Sequence, residues 1–357
     1  MERTRPERTP SRGTFSNPPN RFELTHLEPL EIEPPPGEER PPVPTTFYRD
    51  ISRTVLARND SPDIPFTFSL NPYRGCEHGC IYCYARASHE YLGFSAGLDF
   101  ESKIMVKMDA PELLEKELSK KNWKPQAVAL SGNTDCYQPV ERTLQLTRRC
   151  LEVFLRFRNP VTVVTKNSMI ERDIEILAEM AKHRIAHVSV SITTLDADLA
   201  RRMEPRTSTP ANRLRTIRRL ANAGVPVGVL VSPLIPGLTD QELPAILKAA
   251  ADHGATTATS LLLRLAGSVE QLFREWLERE YPLKAGKFVA RLMDMRKGKL
   301  NDARFGVRMT GEGASADMLR EFFSVHARKY GLQERWEELS TAGFRRVDTR
   351  QADLFGG

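Results

Sequence analysis

The amino-acid sequence predicts an α/β fold: a partial (β/α)6 barrel of the TIM type with parallel strands, followed by a mostly helical C-terminal cap. Three observations predict it. Between residues 64 and 265, six short apolar runs alternate with six longer amphipathic ones. The short runs are almost continuously apolar, as strands buried on both faces must be. Proline and glycine stand where several of the helices should start and stop. Six repeats are too few to close a barrel, so one wall should stay open. Chemistry is expected at the C-terminal ends of the strands.

The elements follow in chain order. Residues 1–45 read as an extended or mobile tail, because they hold 11 of the 25 prolines, including Pro34-Pro35-Pro36. Proline at this density removes backbone donors, and few apolar side chains remain to offset the ordering entropy. Removing the tail should therefore leave the fold nearly intact. Clustered Arg3, Arg5, Arg8 and Arg12 are its one sign of a binding arm. Residues 46–265 form the barrel, with strands at 66–70, 127–131, 161–165, 187–192, 225–231 and 257–263. Helices are expected at 80–90, 111–121, 140–156, 169–183, 209–223 and 240–253. Pro111 and Pro210 suit a first helical turn, and Gly224 and Gly254 suit a stop before the next strand. Residues 266–357 change character, with helices at 269–281, 285–296 and 315–330 and a short strand at 305–309.

Composition limits the function. With 52 basic and 46 acidic residues, the formal net charge of +6 permits a polyanionic partner without requiring one. No apolar run approaches the ~20 residues of a membrane helix, and no apolar core follows the charged N-terminus. A cytoplasmic protein without a membrane partner is expected. Five cysteines, an odd count with three crowded at 76, 80 and 83, argue for metal rather than disulfides.

The chemistry concentrates in Asn71-Pro72-Tyr73-Arg74-Gly75-Cys76-Glu77-His78-Gly79-Cys80-Ile81-Tyr82-Cys83-Tyr84, directly after the first predicted strand. The spacing C-x3-C-x2-C gathers three thiolates on one loop. A structural zinc or a fully ligated [4Fe–4S] cluster takes four ligands, whereas three leave one iron open to bind a small molecule. Glycines at 75 and 79 let the loop fold back. Spacing alone leaves zinc open, with His78 or His89 as the fourth ligand.

C-x3-C-x2-C with an aromatic before the last cysteine, at the end of the first strand of a β-α repeat, resembles the radical S-adenosylmethionine superfamily. Within it, Cys83-Tyr84-Ala85-Arg86, Thr134-Asp135-Cys136-Tyr137-Gln138-Pro139-Val140-Glu141, Thr165-Lys166, Ser189-Val190-Ser191 and Glu204-Pro205-Arg206-Thr207-Ser208 resemble the spore photoproduct lyase-like branch, described as DNA repair photolyase-like. The resemblance implies that Cys76, Cys80 and Cys83 hold three irons of a [4Fe–4S] cluster and that S-adenosylmethionine binds the fourth. One electron from an external flavodoxin- or ferredoxin-like donor then gives methionine and a 5′-deoxyadenosyl radical. Tyr82 would lie against the adenine. Thr134 and Asp135, after the second strand, would meet the ammonium and ribose hydroxyls. Lys166 would pair with the carboxylate, and Ser191 would face the same space. The substrate stays open, a nucleic-acid lesion being one reading. A non-catalytic zinc- or cluster-containing nucleic-acid-binding protein is the alternative.

One position departs from the branch. Spore photoproduct lyases carry a hydrogen-donating cysteine a few residues before the acid that meets the cofactor; here those positions are Ser131, Gly132 and Asn133. Cys136 is the nearest thiol and the one candidate hydrogen donor, against a plainer reading as a buried, inert cysteine. His89 and Glu90 read as surface helix residues. Arg213, Arg215, Arg218 and Arg219 read as a solvated face. Arg201, Arg202 and Arg206 are better phosphate candidates.

Overall fold

The computed structural model of the protein describes residues 12–14, 16–18 and 43–347. The strands are β1 (Thr46–Arg49), β2 (Leu56–Arg58), β3 (Phe68–Leu70), β4 (Tyr73–Arg74), β5 (Lys103–Val106), β6 (Val128–Leu130), β7 (Val161–Thr165), β8 (Ala186–Ser191), β9 (Val227–Leu234) and β10 (Thr257–Leu262). Seven of them form one sheet in the order β10-β9-β8-β7-β6-β3-β2. The pairings from β3 through β10 are all parallel, and these are the six strands that the apolar runs predict. An antiparallel β2 lines the edge beyond β3, and the sheet does not close. The partial barrel is thus the observed architecture.

Burial on both faces explains the unbroken apolar runs: all of β8 is buried, and Val161, Val163, Val188 and Val229 are shielded together. Helices Ala110–Ser119, Leu146–Phe157, Ile174–Lys182, Pro210–Asn222 and Leu243–Asp252 supply Leu114, Phe154, Leu177, Ile217 and Leu247 to that core. Pro111 and Pro210 sit in first turns, and the Thr209 hydroxyl caps its helix by accepting from Asn212 N. Gly224 and Gly254 stop their helices at φ of 77° and 97°.

The structure departs from the sequence expectation at several places. The helix expected over 140–156 is broken at Gln145, and the one over 80–90 is a turn followed by a 3-10 helix, Tyr84–Leu92. Residues 305–309 form turns instead of a strand, with Gly306 in the left-handed region at φ of 81°. A second, small sheet of order β1-β5-β4 stands beside the barrel. The helices Val269–Glu280, Ala285–Asp294 and Ala314–Lys329 follow the prediction. The first two back the cysteine loop, since Leu272, Trp276 and Phe288 share one apolar cluster with Cys80, Ile81 and Tyr82. Among the described residues, no helix is long and apolar enough to cross a membrane.

Residues 12–14 and 16–18 correct the expectation of a free tail. Arg12 and Thr14 are buried, and the amides of Gly13 and Thr14 donate to the Glu101 carboxylate at 2.9 and 3.0 Å. Asn17 exchanges hydrogen bonds with Asp99. Arg3, Arg5 and Arg8 lie outside the described residues.

Candidate active site at the cysteine loop

The loop leaves β3 at Leu70, passes through β4 and wraps at the C-terminal rim of the sheet. Cys76 N donates to Phe100 O at 2.9 Å, and Ile81 N donates to Met203 O at 3.0 Å, pinning the loop to two separate elements. Gly79 has φ of 68°, and a side chain there would meet Glu101 Oε2 at 2.8 Å. Cys76 and Cys80 are buried and Cys83 is half-buried. Burial pushes the Cys80 thiol well up and the Cys83 thiol to about 11, each also raised by its neighbouring cysteines.

The donor set tests which metal group fits. The three sulfurs interact electrostatically, yet no three Cys, His, Asp or Glu side chains among the described residues converge on one metal-ion position. Mononuclear zinc needs every sulfur ~2.3 Å from one ion, whereas a cubane takes each thiolate on a different iron. Three thiols on one loop match the donor set of a cluster that keeps one iron open. His78 makes a poor fourth ligand, because its Nδ1 faces Asp135 at 3.4 Å and its Nε2 meets Asn167 Nδ2 at 3.2 Å. His89 is buried rather than on the surface, with its ring packed on Phe94 and Phe100 at 5.2 and 5.6 Å.

The predicted cofactor residues divide into two groups. Lys166 and Ser191 come together: Lys166 Nζ donates to Ser191 Oγ at 2.7 Å and to Ser232 O at 3.2 Å. The same ammonium lies 5.9 Å from the Tyr82 ring centroid, and burial lowers its pKa. Asp135 and Thr134 are engaged by the protein itself. The Asp135 carboxylate accepts from Thr165 Oγ1 and Lys166 N, both at 2.8 Å, and faces His78 Nδ1 at 3.4 Å. Burial works to raise this carboxyl, but His78 and the surrounding donors hold it below the ordinary carboxylate range. Thr134 Oγ1 donates to Tyr73 O at 2.7 Å, which makes it a brace for β4.

Sequence reasoning missed a buried pair beneath Tyr82. The Tyr82 hydroxyl donates to Glu204, and Thr193 Oγ1 donates to the same carboxylate oxygen at 2.7 Å. Arg213, only 1% exposed, pairs with the other oxygen and also donates to Ser191 O at 3.0 Å and Ser208 O at 2.7 Å. This corrects the reading of Arg213 as solvated. Helical spacing separated it from Arg215, Arg218 and Arg219, but only packing decides which side faces inward. Replacing Arg213 with Ala is expected to cost about 3–5 kcal/mol, since it strands a buried carboxylate. Urea denaturation measures the loss, and a change under ~1 kcal/mol would show that the pair is dispensable.

Cys136 is fully buried, and its thiol is raised well above normal by burial. Its amide donates to Ser131 Oγ at 2.8 Å, and its side chain packs in the barrel core with Tyr137 and Leu151. Cys136→Ala is expected to cost about 1 kcal/mol in stability and to leave cofactor cleavage unchanged. Loss of product with intact cleavage would instead make Cys136 the hydrogen donor. The phosphate candidates are mostly neutralised: Arg206 pairs with Glu77 at 3.1 Å, Arg201 with Asp198 at 2.8 Å and Arg202 with Glu280 at 3.4 Å. Glu90 is buried and accepts from Ser268 Oγ at 2.7 Å.

Comparison with known proteins bears on this geometry. The family model of the radical SAM superfamily matches residues 70–250. An uncharacterized protein of Mycobacterium tuberculosis is 36% identical over 240 residues, covering 66% of this chain and 71% of that one. One of Methanocaldococcus jannaschii is 26% identical over 175 residues, 49% of this chain and 63% of the other. Among solved structures, spore photoproduct lyase complexed with dinucleoside spore photoproduct shares the fold at a TM-score of 0.59 and 16% identity, covering 81% and 82% of the two chains. A double mutant of that lyase with bound AdoMet and the same dinucleoside also gives a TM-score of 0.59 at 16% identity, over 86% and 87%. The chain belongs to the radical SAM superfamily, enzymes that cleave S-adenosylmethionine with the help of an iron–sulfur cluster.

Proposed function

We propose that this enzyme holds a [4Fe–4S] cluster through Cys76, Cys80 and Cys83 and directs S-adenosylmethionine cleavage at a nucleic-acid lesion. The observation that carries the cluster assignment is the C-x3-C-x2-C loop, which gathers three thiols at the C-terminal rim of the sheet within the stretch matched by the family model. When bound, the cluster supplies one electron to the sulfonium and an open iron to the amino-acid end of the cofactor. The protein's own task is positioning. Lys166 offers the methionine carboxylate a point charge, with Ser191 orienting the ammonium, and Tyr82 gives the adenine a flat wall. Asp135 contributes by fixing Thr165, the Lys166 amide and His78, ahead of any direct contact.

The electron comes from an external donor, which we assign to the flavodoxin or ferredoxin class. Five unpaired cysteines suit the reducing cytoplasm. The solved lyase complexes hold a dinucleoside spore photoproduct, and the basic balance of this chain accommodates a nucleic acid that would carry such a lesion. Hydrogen donation to a product radical by a rim cysteine is not carried over, because Cys136 and Cys150 are both fully buried. The test is anaerobic reconstitution with iron and sulfide, followed by S-adenosylmethionine and dithionite. A brown protein that releases 5′-deoxyadenosine is expected, whereas a colourless zinc protein would overturn the assignment.

A further inference from the structure

Three guanidinium groups gather where β10 ends. Arg264 follows β10 by two residues and is half-buried; its Nη1 reaches only the Met309 sulfur at 3.5 Å, and its Nε is buried without a partner. Arg296 is 1% exposed, and it donates from Nη2 to Leu263 O at 2.6 Å and Arg308 O at 3.2 Å. Its Nε and Nη1 have no partner at all. Both side chains therefore flank the same stretch, residues 308–309, beside the end of β10. Arg308 is satisfied, by Asp63.

The charge balance is uneven. Burial first, then Arg308, lowers the Arg264 pKa; burial and Arg264 lower Arg296 to about 10. Against three cations, Asp63 is taken by Arg308, and Asp302, the other acid near Arg296, is paired with Arg304 at 2.6 Å. Buried N–H donors left unpaired are costly, and a protein keeps such groups where a ligand completes them. Next to Arg264, at 5.9 Å from its guanidinium carbon, lies the ring of Tyr84, 46% exposed and adjacent in sequence to Cys83. The Tyr84 hydroxyl donates to Gly132 O at 2.7 Å, which holds the part-exposed ring in place beside Arg264.

We propose that Arg264, backed by Arg296, is the receptor for a phosphate ester of the substrate, with Tyr84 as the stacking surface for the attached base. A planar guanidinium fork matches phosphate oxygens, and an aromatic face beside a cation is the pairing that holds a nucleotide. The site joins substrate to the cysteine loop through Tyr84. It deepens the proposed function and rests on it for the identity of the chemistry, while the binding itself requires no cluster.

The experiment measures binding by the full chain, as purified, with two probes: a fluorescein-labelled ten-nucleotide single-stranded thymidine oligomer and thymidine 5′-monophosphate. Arg264→Gln is expected to weaken binding about tenfold and to reduce the salt dependence of oligomer binding by about one ion. Arg264→Lys should fall between, and Arg201→Gln, at the rim but paired with Asp198, should bind like the wild type. Loss confined to the monophosphate supports the site with a small phosphate ester as its source; loss with both probes supports nucleic acid. Unchanged affinity and salt slope in a folded Arg264→Gln protein, or no binding of either probe by the wild type at low salt, overturns the proposal. Failure of the radical chemistry is read separately, as absence of 5′-deoxyadenosine from reconstituted wild type.

Discussion

Replacing any one of Cys76, Cys80 or Cys83 with alanine is expected to abolish reductive cleavage of S-adenosylmethionine and to remove most of the bound iron. Each thiolate would hold a different iron, so the loss of one opens a second position on the cluster and exposes it to solvent and oxygen. The loop contains no substitute. His78 is already engaged, with Nδ1 facing Asp135 at 3.4 Å and Nε2 meeting Asn167 at 3.2 Å. Glu77 is committed to Arg206 and to Val140 N at 2.8 Å. Iron analysis, visible absorption and 5′-deoxyadenosine release after anaerobic reconstitution check the expectation together. A variant that keeps a full complement of iron and wild-type cleavage would remove that cysteine from the ligand set.

Replacing Glu101 with alanine is expected to destabilise the metal-free protein by about 3–5 kcal/mol and to impair cluster loading. The Glu101 carboxylate is fully buried and accepts from Arg86 Nη2 at 2.6 Å, Gly13 N at 2.9 Å, and the amide and hydroxyl of Thr14, both at 3.0 Å. Without it, a fully buried guanidinium loses its counter-charge and three donors lose their acceptor. Arg86 also donates to Cys80 O at 2.9 Å, which carries the damage into the cysteine loop. Glu101→Gln keeps the shape and should be milder. The N-terminal segment shares in this arrangement. A side chain on Gly13 would fall 1.6 Å from Gly79 O, so Gly13→Val, and likewise deletion of residues 1–18, should loosen the same loop. Urea denaturation and iron stoichiometry read both effects. A deletion variant with unchanged stability and loading would restore the reading of the whole segment as a free tail.

The sequence by itself determined the barrel's six parallel strands and the cysteine loop. Strand identity follows from continuous apolar runs, and those runs are dictated by burial on both faces, a local property of each segment. C-x3-C-x2-C is legible because its three ligands lie within eight residues, so no long-range fold is needed to bring them together. That Lys166 and Ser191 lie side by side was also legible, since both stand at the C-terminal end of a strand and parallel pairing brings those ends together. Tertiary structure alone decided the rest. Arg213 and Glu204 form one buried pair, and Glu101 meets residues 13 and 14 across almost ninety positions, because desolvated charges choose partners by proximity in space. The polar anchoring of residues 13 and 14 left no apolar signature, since their hydrogen bonds to the buried Glu101 carboxylate come from two backbone amides and one hydroxyl. The hydrogen bonds of Asp135 to Thr165 and of Thr134 to Tyr73 O were likewise decided by tertiary structure, because the side-chain direction after a strand is set by the neighbours it packs against and is not written in its own residue type.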